Sequence, residues 1–331
     1  MNLLDRDDFH TLLTGCIRTE LSASGLLLHR LTRKQVSYFD STSEALGIRA
    51  RCNAGIQLKI ITDSPTLQLT GRIKAGARQY AGIDVNVDGM HVGALRTDAS
   101  PETRAMVLFD SQSRRCRQIT VTFPQSAILE LDAIEVDDHS QVSAAEPAPT
   151  KYLAIGDSIT QGMDARGPSS AYATQLSHML NMELLNIGVG GHVFDPAALD
   201  DDLPYKPDIV TVAYGTNDWS REISREQITD TVTSYLAHLI ETVARSAQVY
   251  VLTPIWRATG DDVKVGGTLS EFSAAIGAAA AALPRVTVVD GMTLVPHVPD
   301  LLIDGTHPTD EGFLHYAINL CRALGCRLRP E

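Results

Sequence analysis

Five short apolar runs, separated by helical stretches, constrain the second half of this chain more than any other feature. The runs cover residues 152–155, 182–187, 209–213, 249–252 and 286–289, and the intervening segments 171–180, 225–244 and 270–282 carry helical spacing. Strands that alternate with helices in this way pair in parallel, with helices covering both faces of the sheet. The prediction is therefore an α/β domain. In such sheets the chemistry gathers beyond the carboxyl ends of the strands, which directs attention to the loops after each run.

The first half reads differently. From about residue 45 to residue 136, β-type runs (55–61, 66–71, 82–87, 105–110, 118–123 and 128–136) are separated by turn residues. Ile83-Asp84-Val85-Asn86-Val87 alternates apolar with polar and ends in the hairpin signal Asp88-Gly89. Strands at this spacing without long helices predict a β-sandwich. Residues 1–33 read as partly helical. The segment 137–150 is rich in Ser, Ala, Pro and acids and has no periodicity. The expected division is thus an N-terminal β-sandwich at 1–140, a linker at 141–150 and an α/β domain at 151–331.

Bulk properties narrow the function. Hydrophobic residues make up 44% and charged residues 21% of the chain, ordinary for a globular protein. The net charge of −12 argues against nucleic acid as a partner, since phosphate backbones are held by clustered Lys and Arg. Cysteines at 16, 52, 116, 321 and 326 are odd in number and form no CxxC pair, a poor disulfide framework and a poor zinc site. The start MNLLDRDDFH places acids where a signal peptide needs a basic region, and no apolar run approaches the roughly 18 residues of a membrane span. A cytoplasmic setting without membrane association is expected, and nothing in the sequence sets an oligomeric state.

Four loops carry candidate chemistry. Gly156-Asp157-Ser158-Ile159 follows the first apolar run, where a serine at a strand-to-helix turn exposes its hydroxyl beside free backbone N–H groups; such triplets also cap helices. Asn186-Ile187-Gly188-Val189-Gly190-Gly191 follows the second, and its glycines allow close backbone approach to a ligand or simply turn the chain. Gly215-Thr216-Asn217-Asp218 follows the third; Asn217 can offer its amide to a site or serve as a helix cap. Asp304-Gly305-Thr306-His307-Pro308 can set a carboxylate against an imidazole, the base and orienter that a serine nucleophile needs. Asp-x-x-His is also half of a metal site or a surface turn, but no second pair at ligand spacing lies nearby.

Taken together and in this order, the four loops resemble the SGNH hydrolases, whose blocks carry Ser, Gly, Asn and His. Ser158 matches the first block, Gly191 the second, Asn217 the third, and Asp304 with His307 the fifth, so the resemblance covers residues 151–327. It implies a flavodoxin-like three-layer α/β/α domain and ester hydrolysis with no metal or other cofactor. A finer resemblance is to bacterial SGNH esterases with a jelly-roll-like sandwich in front, which carry Gly-x-Asp-Leu-Tyr and a final DGxHPTDxGF. Here Gly82-Ile83-Asp84-Val85-Asn86 departs from the first pattern at Val85 and Asn86, whereas residues 304–313 match the second. That group acts mostly on small acyl esters, often acetyl groups on sugars.

The resemblance implies that His307 takes the proton of Ser158, that Asp304 orients His307, and that the N–H groups of Ser158 and Gly191 and the amide of Asn217 hold the oxyanion. Trp256, Trp219 and His192 are candidate substrate contacts, Asp157 a structural partner of its turn, and Asp310 the cap of a final helix carrying His315. The expected substrate is a small-molecule or carbohydrate ester. Three readings stay open: an O-acyl, foremost acetyl, esterase; an acyltransferase sharing the acyl-enzyme; and a retired site serving carbohydrate binding. The complete residue set speaks against the third.

Overall fold

The computed structural model describes residues 1–325, so Cys326 and the end of the expected second domain lie outside the described residues. The antiparallel part is built from β1 (Leu13–Thr14), β2 (Arg18–Ser22), β3 (Gly25–His29), β4 (Gln57–Thr62), β5 (Thr66–Ala75), β6 (Tyr80–Val87), β7 (Met90–Asp98), β8 (Ser100–Asp110), β9 (Arg117–Thr122), β10 (Ala127–Val136) and β11 (Val142–Ala144). One sheet runs β1-β4-β9-β6-β7 with β11 on β4, and the other runs β2-β3-β10-β5-β8. Both sheets feed one core: Leu58, Ile60, Ile83, Val85 and Val121 come from the first and Leu67, Leu69, Leu129 and Ile134 from the second. Alternation explains this, since successive side chains of a strand point to opposite faces. Asp88 and Gly89 both take positive φ and close the β6–β7 hairpin.

Residues 1–32 hold two short 3₁₀ turns, β1 and the β2–β3 hairpin rather than α-helix. The helices come immediately afterwards, α1 (Arg33–Thr42) and α2 (Glu44–Ala50). Thr32 and Gln35 form a capping box at the start of α1, and the Ser43 hydroxyl caps α2. Val36, Phe39, Leu46 and Ala50 do not join the core between the antiparallel sheets. They pack with residues of the parallel sheet, so residues 33–50, expected within the N-terminal unit of 1–140, belong by packing to the core of the second half.

The parallel sheet consists of β12 (Thr150–Gly156), β13 (Met182–Asn186), β14 (Ile209–Ala213), β15 (Gln248–Leu252) and β16 (Val286–Val289). Its spatial order is β13-β12-β14-β15-β16, all parallel. Numbered from its own first strand this is 2-1-3-4-5, the flavodoxin-like order. On one face, Leu153 and Ile155 meet α6 (Arg225–Glu241) and α7 (Leu269–Ala281). On the other, Tyr152 and Ala154 meet α4 (Tyr172–Met179) and α8 (Asp310–Ala323). Short helices α3 (Ser158–Gln161) and α5 (Thr216–Ser220) start where β12 and β14 end. Among the described residues no helix is long and apolar enough to cross a membrane.

The two parts meet next to the strand ends that matter. Buried Asp84 on β6 accepts from the Ser169 N–H at 2.9 Å and from Arg96 at 2.6 Å. Gln125 donates to the Ala165 carbonyl at 2.8 Å. Both contacts hold the loop that follows α3.

Candidate active site

At the end of β12 the chain must turn sharply to present Ser158. A Cβ on Gly156 would come within 2.1 Å of Thr160 Oγ1 and 2.6 Å of the Ala213 carbonyl, so only glycine fits before the turn. Asp157 caps α3 by accepting the Ile159 N–H at 3.0 Å. This agrees with its reading as a partner of its own turn. Burial pushes the Asp157 carboxyl up to about 7, partly offset by that N–H.

Ser158, His307 and Asp304 form one continuous chain of contacts. His307 Nε2 lies 2.8 Å from Ser158 Oγ, and His307 Nδ1 lies 2.8 Å from Asp304 Oδ2. The turn between the two is tied by Asp304 Oδ1, which accepts the Thr306 N–H at 3.0 Å and the His307 N–H at 2.8 Å. Burial raises the Asp304 carboxyl, but the bonds from His307 outweigh it and leave the group below the usual carboxylate range. An ionised carboxylate can only accept, so Nδ1 carries the proton and Nε2 is left to accept from the serine.

Gly191 stands at φ +82°, and a Cβ there would lie 2.8 Å from Arg49 Nη1. Among the described residues, the backbone N–H groups of Ser158 and Gly191 have no hydrogen-bond partner. Asn217 on α5 donates its amide to the His192 carbonyl at 3.0 Å and to Asp157 Oδ2 at 3.3 Å.

Two of the three candidate substrate contacts are core residues. Trp219 is fully buried, its indole N–H donates to the Gly267 carbonyl at 2.9 Å, and Arg257 and Lys264 cover its ring. His192 is 2% exposed and wedged edge-on among Tyr38, Phe39 and Tyr214; burial lowers its imidazole to about 4. Neither side chain can form a substrate wall. Trp256 is partly exposed and stacks on His297 with ring centroids 5.5 Å apart. Thr309, not Asp310, caps α8, while Asp310 accepts the Arg166 N–H at 2.9 Å.

Sequence reasoning missed the arginines. Fully buried Arg30 donates to the carbonyls of Asn186 and Gly188, Arg49 to that of Gly190, and Arg221 to that of Gly191. Together they clamp the glycine-rich loop. It also missed Asp164, which places Oδ2 3.5 Å from His307 Nδ1. One ligand atom each from Asp164, Asp304 and His307 falls within 4.8 Å of the others, the spacing of a metal site. Arg78 is already paired with Asp164 through the Nε/Nη2 edge of its guanidinium, and a cation beside it would meet that fixed positive charge.

The profile of the GDSL-like lipase/acylhydrolase family matches residues 154–313, which span every block described above. Among curated proteins none matches the chain. Among solved structures, the chain is similar to a salicylyl-acyltransferase from a tetracycline biosynthetic pathway, with a TM-score of 0.79 at 17% identity over 95% of this chain and 94% of that one. It is similar to a Bacteroides ovatus protein described as a GDSL-like lipase, with a TM-score of 0.76 at 20% identity over 95% and 94%. A family two carbohydrate esterase from Clostridium thermocellum, in complex with cellohexaose, follows at a TM-score of 0.65 and 14% identity over 83% and 94%. At these identities the structural likeness speaks for the fold. The family match makes residues 154–313 similar to the GDSL-like lipase/acylhydrolase family and supports a hydrolase acting on ester bonds.

Proposed function

We propose that the protein is a serine esterase that removes short O-acyl groups, acetyl foremost, from a carbohydrate or other small hydroxylated substrate. The observation that carries the reading is the unbroken Ser158–His307–Asp304 chain, with both links at 2.8 Å. In the proposed reaction His307 removes the Ser158 proton as Oγ attacks the ester carbonyl, and Asp304 stabilises the resulting imidazolium. The N–H groups of Ser158 and Gly191 and the Asn217 amide receive the oxyanion; the first two have no other partner, which suits them to the task. His307 then gives its proton to the departing alkoxide. Water, deprotonated by the same imidazole, releases the acyl group and restores Ser158.

The carbohydrate acceptor is supported by the likeness to a carbohydrate esterase that carries cellohexaose. We further read the two antiparallel sheets as a jelly-roll-like sandwich unit; the segment expected as a linker, 141–150, supplies β11 on β4 and the first residue of β12, so this unit runs on to Ala144 and only 145–149 join it to the catalytic unit. Acyl transfer is the second reading, favoured by the likeness to a salicylyl-acyltransferase over 95% of the chain. The test is product partitioning: p-nitrophenyl acetate, butyrate and octanoate are hydrolysed with and without a competing polyol such as cellobiose. Fast acetate turnover yielding acetic acid supports the esterase. Predominant acylation of the polyol replaces it with the transferase.

A further inference from the structure

The imidazole of His307 faces two carboxylates. Asp304 Oδ2 lies 2.8 Å from Nδ1 and its side chain is 49% exposed. Asp164 Oδ2 lies 3.5 Å from the same nitrogen and its side chain is only 11% exposed. Asp164 is set from outside the parallel-sheet region. Arg78, between β5 and β6, donates Nε–H to Asp164 Oδ1 at 2.7 Å and an Nη2 proton to Oδ2, and Tyr80 at the start of β6 donates its hydroxyl to Oδ1 at 3.4 Å. The two-pronged guanidinium contact fixes the carboxylate in orientation as well as position. Asp164 itself takes φ +71°, a left-handed backbone that non-glycine residues rarely adopt, so its placement is held against local preference.

We propose that Asp164, preset by Arg78 and Tyr80, is a second positioning carboxylate for His307, which makes the antiparallel sheets part of the catalytic machinery. The inference rests on the reading of His307 as the base. Asp304 alone would hold the ring from a solvent-exposed side chain on a turn. A largely enclosed, immobilised carboxylate across the same N–H keeps the proton on Nδ1 and limits how far the ring can swing. Its pairing with Arg78 balances the local charge, so the imidazole feels a compensated pair. Other charged groups around the ring are Arg257, which faces Asp304 and Asp157; Asp157 itself, beside Ser158; and Arg49, next to Arg78.

Breaking the compensated pair from either end gives opposite signs. Asp164→Asn removes the negative charge and leaves Arg78 facing the imidazole, which disfavours imidazolium; the acid limb of kcat/KM moves to lower pH. Arg78→Met leaves Asp164 uncompensated, which favours imidazolium, and the same limb moves to higher pH. Each displacement is expected to reach about half a pH unit or more. Asp164→Asn should also lower kcat by about tenfold with KM nearly unchanged, and Asp164→Glu should recover part of it. Asn tolerates positive φ, so the first variant keeps the local backbone even if Arg78→Met fails to fold. Acid limbs that do not move, or that move together, overturn the proposal, as does wild-type kcat in Asp164→Asn. Ser158→Ala run alongside separates the two levels: an active Ser158→Ala would remove the triad reading itself, whereas an inert Ser158→Ala with an unaffected Asp164→Asn removes only this inference.

Discussion

Arg30 Nη1 donates to the carbonyl of Gly188 at 2.8 Å, across 158 residues of sequence. The same nitrogen reaches the Asn186 carbonyl at 2.9 Å, Nε reaches that of Cys52 at 2.7 Å, and Nη2 that of Arg49 at 3.1 Å. One buried guanidinium thus joins the end of β3, the exit from α2 and the loop leading to Gly191. Burial lowers it to about 10, so it stays charged at neutral pH.

Arg30→Met keeps much of the volume but leaves four carbonyls without this donor. A buried unsatisfied polar group costs about 1–3 kcal/mol, so a loss of about 3 kcal/mol or more is expected, read as a lower urea midpoint. Activity should fall as well, because the glycine-rich loop loses a clamp. An unchanged midpoint would mean that Arg30 does not hold these segments together.

Asn217→Ala should lower kcat by about 10²–10³ with little change in KM, the signature of a donor used mainly in the transition state. In the resting site the amide contacts the His192 carbonyl and Asp157. Steady-state kinetics on p-nitrophenyl acetate would expose the alternative: a variant with raised KM and intact kcat assigns Asn217 to ground-state binding.

Buried His192 couples stability to pH. Its folded-state value, about 4, lies below the unfolded value near 6.5. Between these values the unfolded chain binds more protons, so the stability His192 allows is fully present above about 6.5 and is lost as pH falls toward 4. His192→Phe, which keeps an aromatic ring in the Tyr38–Phe39–Tyr214 cluster, should flatten that part of the stability profile. Urea midpoints at pH 4.5, 5.5 and 7.5 test it; parallel wild-type and variant profiles would show that His192 does not titrate as a buried group.

The parallel sheet was legible because its strands are apolar runs set between helical spacings; three of the loops were legible because each follows such a strand, and Asp304–Pro308, past two 3₁₀ turns beyond β16, was legible by its Asp-x-x-His spacing. The β7 strand was not: its side chains are mostly exposed, so it carries no apolar periodicity. Residues 1–33 carry apolar residues that serve 3₁₀ turns and a hairpin, which spacing alone does not separate from helix. Trp219 and His192 follow strands where a pocket could open, but sequence order does not tell a ring facing solvent from one packed under Arg257 or against Tyr214. Arg30, Arg49, Arg78 and Asp164 were invisible for a different reason. Charged residues are ordinary on surfaces, and the contacts that give these four a role cross from one part of the chain to another.

The most direct test of the central claim is the hydrolysis of p-nitrophenyl acetate by the wild type and Ser158→Ala, side by side, with folding of both checked by circular dichroism. Acetate turnover in the wild type, with only residual turnover in the folded variant, is the expected result. Equal turnover in the two proteins would contradict Ser158 as the nucleophile and the mechanism built on it.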